Sequence, residues 1–142
     1  MGQTVSTANA GACDPVRPSF PSLYWPADSC NHAIYYLWDS WRFTLLWTLI
    51  LYAIFHMGAA AIALGVQVGK HRSTWKYLWT VPIIYAITAA LEAAFAGSIV
   101  GVLVGAVYFN GKLHMSTWIP FIWGWINVLV LIVSSFTIQG GL

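Results

Sequence analysis

Long apolar stretches alternate with short polar ones over most of the chain. Residues 43–68 contain no Asp, Glu, Lys or Arg, residues 81–106 contain a single charge, and residues 119–138 contain none. Because an α-helix rises 1.5 Å per residue, about 20 apolar residues are enough to cross a hydrocarbon core of roughly 30 Å. The pattern therefore predicts an all-α integral membrane fold with three transmembrane helices at about these bounds.

The residues before the first apolar stretch have a different composition. Residues 1–33 are rich in Ser, Thr, Ala and Pro, so we expect a poorly ordered polar tail ahead of a three-span domain at 34–142. Ile34–Trp41 combines Trp and Tyr with one acid, which is typical of the headgroup layer, and is predicted to form a short interfacial helix. Myristoylation at Gly2 and pairing of Cys13 with Cys30 stay open.

The second stretch carries a regular row of very small side chains. Ala and Gly recur at every fourth position, which places them over one another on one face of a helix. In lipid, such a face lets two backbones approach closely, and this contact drives helix association. We predict that the second span is the central packing helix, with its neighbour in the chain or in a partner, and that Gly58 is a further packing position. The row, called the small-residue seam below, consists of Ala89, Ala93, Gly97, Gly101 and Gly105.

Among the polar residues within the apolar stretches, His56, Glu92 and Asn127 are the candidates for a specific polar contact inside the membrane. A carboxylate at mid-bilayer costs on the order of 2.5–3.5 kcal/mol, so Glu92 must be protonated, paired or turned toward protein. His56 lies near the centre of its span, at a similar depth. The two residues form either a proton or headgroup site or a structural hydrogen bond between helices, with a bond from Glu92 to Thr88 as another structural option. Asn127 is predicted to be a second polar tie.

The overall composition narrows the class of function. Of the 142 residues, 59% are hydrophobic and only 7% are charged, and the net charge of +2 comes from scattered basic residues, which argues against nucleic-acid binding. The sequence has no metal-ligand cluster, no glycine-rich phosphate loop and no Ser/His/Asp arrangement. We therefore predict a protein that is not an enzyme and that uses no cofactor or metal.

The loops predict the orientation in the membrane. The loop between the first two spans contains three basic residues and no acid. Because cytosolic loops carry an excess of Lys and Arg, this loop is predicted to be cytosolic, with the amino terminus lumenal and the carboxyl terminus cytosolic. Its residues Lys70, His71, Arg72 and Lys76 are also candidates for contact with anionic lipid headgroups.

Two long segments resemble a known family. They are WTLILYAIFHMGAAAIALGVQVGKHR in the first span and AGSIVGVLVGAVYFNGKLHMSTWIPFIWGWINVLVLIVSSF over the second and third. Together with SLYWPADS, they resemble the transmembrane protein 170 family, its fungal members in particular, from about Trp38 to Gln139. His56, Gly58, Ala59 and the His71-Arg72 pair match the family pattern, whereas Glu92 departs from its animal members.

The resemblance implies a three-span protein of the endoplasmic reticulum and nuclear envelope without known catalytic activity. Animal relatives are linked to membrane sheet shape and nuclear envelope organisation, and one relative to a bridge-like lipid-transfer protein. The expected function is to organise membrane as a subunit for a larger partner, in contact with membrane lipids, with a homo-oligomer left open. The alternative is a small proton-coupled carrier or channel that uses Glu92 and His56 in an oligomer.

Overall fold

A computed structural model describes residues 17–25, 32–67 and 78–139, and these residues form three helices: α1 (Leu37–Gln67), α2 (Thr80–Asn110) and α3 (Trp118–Gln139). By length and composition, all three are able to cross a membrane. The described residues contain no β-strand beyond a single bridge. The prediction of an all-α fold with three membrane-spanning helices is therefore confirmed.

The segment predicted to form a separate interfacial helix is divided between a loop and α1. Ile34 lies outside the helices, where it forms an antiparallel bridge with Met115, and α1 begins at Leu37. From Leu37 onward no Gly or Pro interrupts the chain before the first apolar stretch, so the helix continues without a break. Asp39 in the first turn also favours a helix start here, since a carboxylate stabilises the helix N-terminus.

The centre of the bundle is α1, and the prediction that the second span is central was wrong. α1 packs along both α2 and α3, whereas α2 and α3 contact each other very little. The reason is that the small-residue seam occupies one face of α2, which can approach only one neighbour closely. α1 buries two faces: Thr44 and Thr48 contact α2, and Trp47 and Leu51 contact α3.

A folded cap covers the end of the bundle where α1 begins and α2 ends. The backbone groups of Ile34 and Met115 exchange two hydrogen bonds, with N···O distances of 2.7 and 3.2 Å. The indole N–H of Trp118 donates to the carbonyl of Tyr24 at 2.9 Å. We call this region the end cap; it consists of residues 17–25, 32–36 and 111–117.

Aromatic and charged contacts fasten the end cap to α1. The ring of Phe20 lies 5.6 Å from that of Phe43 and 5.4 Å from that of Trp47, centroid to centroid. The guanidinium of Arg17 lies 3.7 Å from the carboxylate of Asp39. Residues 17–25, which the sequence places in a polar tail, thus pack on the bundle. Residues 1–16 and 26–31 of that predicted tail lie outside the described residues. They include Gly2, Cys13 and Cys30.

Candidate functional site

The small-residue seam faces α1 along its whole length. All five of its residues are buried, and the side chain of Ala93 is completely so. A Cβ built on Gly101 would lie 3.0 Å from the Cα of Trp41, and one built on Gly97 would lie 3.0 Å from the Cα of Leu45. Two backbones approach this closely only where one of them has no side chain. The structure thus uses the seam between two helices of the same chain.

A row of hydroxyl side chains on α1 lies opposite the glycines. Ser40, Thr44 and Thr48 are four residues apart and almost fully buried. They face Gly105, Gly101 and Gly97 respectively, in an antiparallel register.

Sequence reasoning did not identify this row. A signal was present, because Ser and Thr at every fourth position are unusual on an otherwise apolar helix face. The hydroxyls are not free for a ligand: Thr44 Oγ1 donates to the carbonyl of Ser40 at 2.9 Å, and Thr48 Oγ1 to that of Thr44 at 2.7 Å. These bonds satisfy the two threonine donors within α1. The Ser40 hydroxyl instead donates across to the carbonyl of Gly101 on α2 at 3.5 Å.

Gly58 packs against neither neighbouring helix within the described chain, and its packing against a partner stays a prediction. It is exposed, and a Cβ built on it would meet no described atom within 4 Å. Gly65, on the same half of α1, is equally open. Both glycines lie beyond the part of α1 that the glycines of α2 cover, and they face away from both neighbouring helices.

His56 and Glu92 lie together, at the end of the seam farther from the end cap. The distance from His56 Nε2 to Glu92 Oε2 is 3.2 Å. His56 Nδ1 lies 3.0 Å from the carbonyl of Tyr52, and because a carbonyl only accepts, Nδ1 carries a proton. Nε2 therefore either accepts from a protonated Glu92 or, in a charged His56, faces a carboxylate. Both states keep the net charge of the pair at zero.

The contact between the two residues is close but not a well-aligned hydrogen bond. Glu92 Oε2 is buried and lacks a properly oriented donor among the described residues, although its distance to His56 is that of an ion pair. The Glu92 side chain as a whole is 41% exposed, against 15% for His56. The other structural option does not occur, because the Thr88 hydroxyl donates to the carbonyl of Ile84 at 2.9 Å.

Asn127 joins α3 to α1. Its side-chain amide donates to Thr48 Oγ1 at 3.1 Å, and the Tyr52 hydroxyl donates to the Asn127 backbone carbonyl at 3.1 Å. One turn earlier, a Cβ built on Gly124 would lie 3.3 Å from Trp47 Cβ. Thr48 therefore contacts both neighbours of α1, since it faces Gly97 of α2 and accepts a hydrogen bond from α3.

The arrangement offers helix packing together with polar contacts inside the membrane-spanning helices, between His56 and Glu92 and between Asn127 and α1. No group of three metal-binding side chains occurs among the residues that the structure covers. Lys70, His71, Arg72 and Lys76, predicted to face headgroups, lie outside the described residues.

Comparison with known proteins places the chain in a family. A family model described as Transmembrane protein 170A/B-like matches residues 33–142, which include all three helices, the small-residue seam and the polar residues His56, Glu92 and Asn127. The chain is similar to the uncharacterised protein YPR153W of Saccharomyces cerevisiae, with 33% identity over 128 residues that cover 88% of each chain. No solved structure matches it. The chain therefore belongs to the transmembrane protein 170 family, as a fungal member.

Proposed function

We propose that this protein is a non-enzymatic subunit of the endoplasmic reticulum membrane and nuclear envelope, which organises membrane and docks a larger protein partner. A bridge-like lipid-transfer protein is the partner that the family resemblance favours. In this proposal the amino terminus and the end cap are lumenal, the carboxyl terminus is cytosolic, and the loop with Lys70, His71, Arg72 and Lys76 touches cytosolic headgroups. Membrane lipids cover the apolar faces that the partner leaves free.

The use of the small-residue seam inside the chain carries this proposal. Because Gly97, Gly101 and Gly105 are already engaged with α1, the three helices form one preassembled unit. The outward faces of α2 and α3 are apolar and exposed, with Phe95 and Phe136 as large examples. Such a unit presents apolar surface in the membrane, and its described residues contain no group of three metal-binding side chains, which suits a structural subunit.

Affinity purification from a mild detergent, with identification of co-eluting proteins and lipids, tests the proposal. We expect the natural chain to recover a larger membrane protein, and Gly101→Leu to lose it because the added side chain separates α1 from α2. Gly58→Leu is the matched control, since it adds the same bulk where nothing lies within 4 Å. Equal recovery from all three chains, or no partner with the natural chain, would contradict the proposal.

The contact between His56 and Glu92 favours a second candidate, a proton-coupled carrier or channel. Their 3.2 Å separation inside two membrane-spanning helices lets one proton move between a carboxyl and an imidazole group. Three helices enclose little space, so this function requires an oligomer. It predicts a pH-dependent flux in reconstituted vesicles that Glu92→Gln abolishes without loss of folding. Vesicles that show no flux at any pH would eliminate this candidate.

A further inference from the structure

We infer that Glu92 marks the docking site for one transmembrane helix of a partner protein, and that this helix donates a hydrogen bond to the Glu92 carboxyl group in the middle of the membrane. The inference rests on the proposed function as a docking subunit and adds the face and the chemistry of the contact. The complementary side chain is a donor: Lys, Arg, His, Asn or Gln.

The site lies at the edge of the contact among the three helices. Both α2 and α3 pack on α1 but scarcely on each other. Ala96 on α2 and Leu131 on α3 pack partly buried against one core cluster, to which all three helices contribute. One turn from Ala96 stands Glu92, with 41% of its side chain exposed. A fourth helix packed beside Glu92 would complete a four-helix bundle.

Within the described chain, the carboxyl group of Glu92 has fewer hydrogen-bond donors around it than acceptor sites. Its carboxyl group has two oxygens with several acceptor sites, yet its one polar contact among the described residues is His56 Nε2. Because Oε2 is buried against His56 while 41% of the side chain is exposed, a donor from another helix would approach the other carboxyl oxygen, Oε1. Lipid tails supply no donor, and polar groups inside a bilayer are costly unless they are paired.

Depth favours a protein helix over a lipid headgroup as the donor. The middle of α2 (Thr80–Asn110) is residue 95, so Glu92 lies three residues, or about 5 Å, from the centre of the helix. For a helix centred in a hydrocarbon core of roughly 30 Å, the nearer headgroup layer is then about 10 Å from Glu92. A side chain on a neighbouring transmembrane helix reaches this depth, whereas a phospholipid headgroup does not.

Photo-crosslinking in native membranes tests the inference. The probe is p-benzoylphenylalanine placed at Phe95, which is exposed and about 60° around the helix from Glu92. The matched control places the same probe at Ile87, which is also exposed but about 140° from Glu92. We expect position 95, and not position 87, to crosslink to a transmembrane segment of another protein that carries a donor side chain within one turn of the crosslink.

Two substitutions connect the crosslink to the carboxyl group. We expect Glu92→Leu to lower the yield at position 95 about tenfold, and Glu92→Gln, which keeps an acceptor oxygen, to change it less than about threefold. The unfolding midpoint in detergent checks that both variants fold. The inference would be overturned by a crosslink to lipid, by a crosslink to a second copy of this chain, or by no crosslink at all. It would also be overturned by equal yields at positions 87 and 95, or by a yield at position 95 that Glu92→Leu leaves unchanged.

The failures of the two proposals are distinguishable. If the natural chain recovers no partner in detergent, the docking function fails and this inference fails with it. If the natural chain recovers a partner and Gly101→Leu loses it, but Glu92→Leu keeps both the partner and the crosslink, the docking function stands and the role of Glu92 is wrong.

Discussion

The glycines of α1 and those of α2 are the same residue in similar apolar helices, yet their surroundings are opposite. Around Gly97, Gly101 and Gly105, backbone or side-chain atoms of α1 stand 2.6–3.0 Å from where a Cβ would be. Around Gly58 and Gly65, nothing described lies within 4 Å. A glycine in a membrane helix is therefore not in itself a packing site.

What distinguishes the two groups is the partner surface. The α2 glycines are spaced four residues apart and meet Ser40, Thr44 and Thr48, which share that spacing and are short enough to fit. Gly58 and Gly65 are seven residues apart, and no atom of the described residues lies within 4 Å of a Cβ built on either. Close packing in lipid depends on two matching surfaces, because the hydrophobic effect does not drive apolar helices together there.

The largest loss of stability is expected from adding a side chain at one of the enclosed glycines of α2. Gly101→Leu should lower the free energy of unfolding in detergent by about 3 kcal/mol, because its Cβ alone would stand 3.0 Å from the Trp41 backbone. Denaturant titration of the purified protein measures the change. A loss below about 0.5 kcal/mol, the scale of an ordinary surface substitution, would show that α1 and α2 separate freely.

Removing an aromatic anchor of the end cap should have the next largest effect. Phe20→Ala deletes the ring that contacts Phe43 and Trp47, and we expect a loss of about 1–2 kcal/mol, less than for a fully buried ring. Proteolysis between the cap and α1 should also become faster. Trp25→Ala, at an exposed cap position, is the control and should change the proteolysis rate much less. Unchanged stability and proteolysis in Phe20→Ala would mean that the cap does not stabilise the bundle.

The polar tie between α1 and α3 should contribute less. Asn127→Leu removes the donor to Thr48 Oγ1, and such bonds in membrane proteins contribute about 0.6 kcal/mol on average and up to about 1.7. The Tyr52 bond survives because it ends on the Asn127 backbone. A double-mutant cycle with Thr48→Val isolates the pair, and a coupling energy of zero would assign Asn127 another role.

The smallest effect on stability is expected for a substitution at Gly58, on the exposed face of α1. Gly58→Leu should change the free energy of unfolding by less than about 0.5 kcal/mol, since no described atom lies within 4 Å of the added Cβ. The same denaturant titration measures it beside Gly101→Leu. A loss as large as that of Gly101→Leu would mean that a surface beyond the described residues covers this face.

Sequence reasoning went far with the local features of this protein. The absence of charges over about 20 residues predicts membrane helices, and the structure has α2 at Thr80–Asn110 and α3 at Trp118–Gln139 over two of these stretches. Because the five residues of the small-residue seam recur at every fourth position, they were predicted to lie on one face of the helix. His56 and Glu92, near the centres of their spans, were expected at a similar depth. Each of these features depends on helix geometry alone.

The sequence by itself determined that the chain has three apolar helices long enough to cross a membrane, because composition and helical rise decide both properties. Only the tertiary structure decided that α1 is central, that Gly101 is enclosed while Gly58 is open, and that residues 17–25 fold over the end of the bundle. The physical reason is that packing in lipid depends on the match between two surfaces. The sequence of one helix specifies only one of these two surfaces.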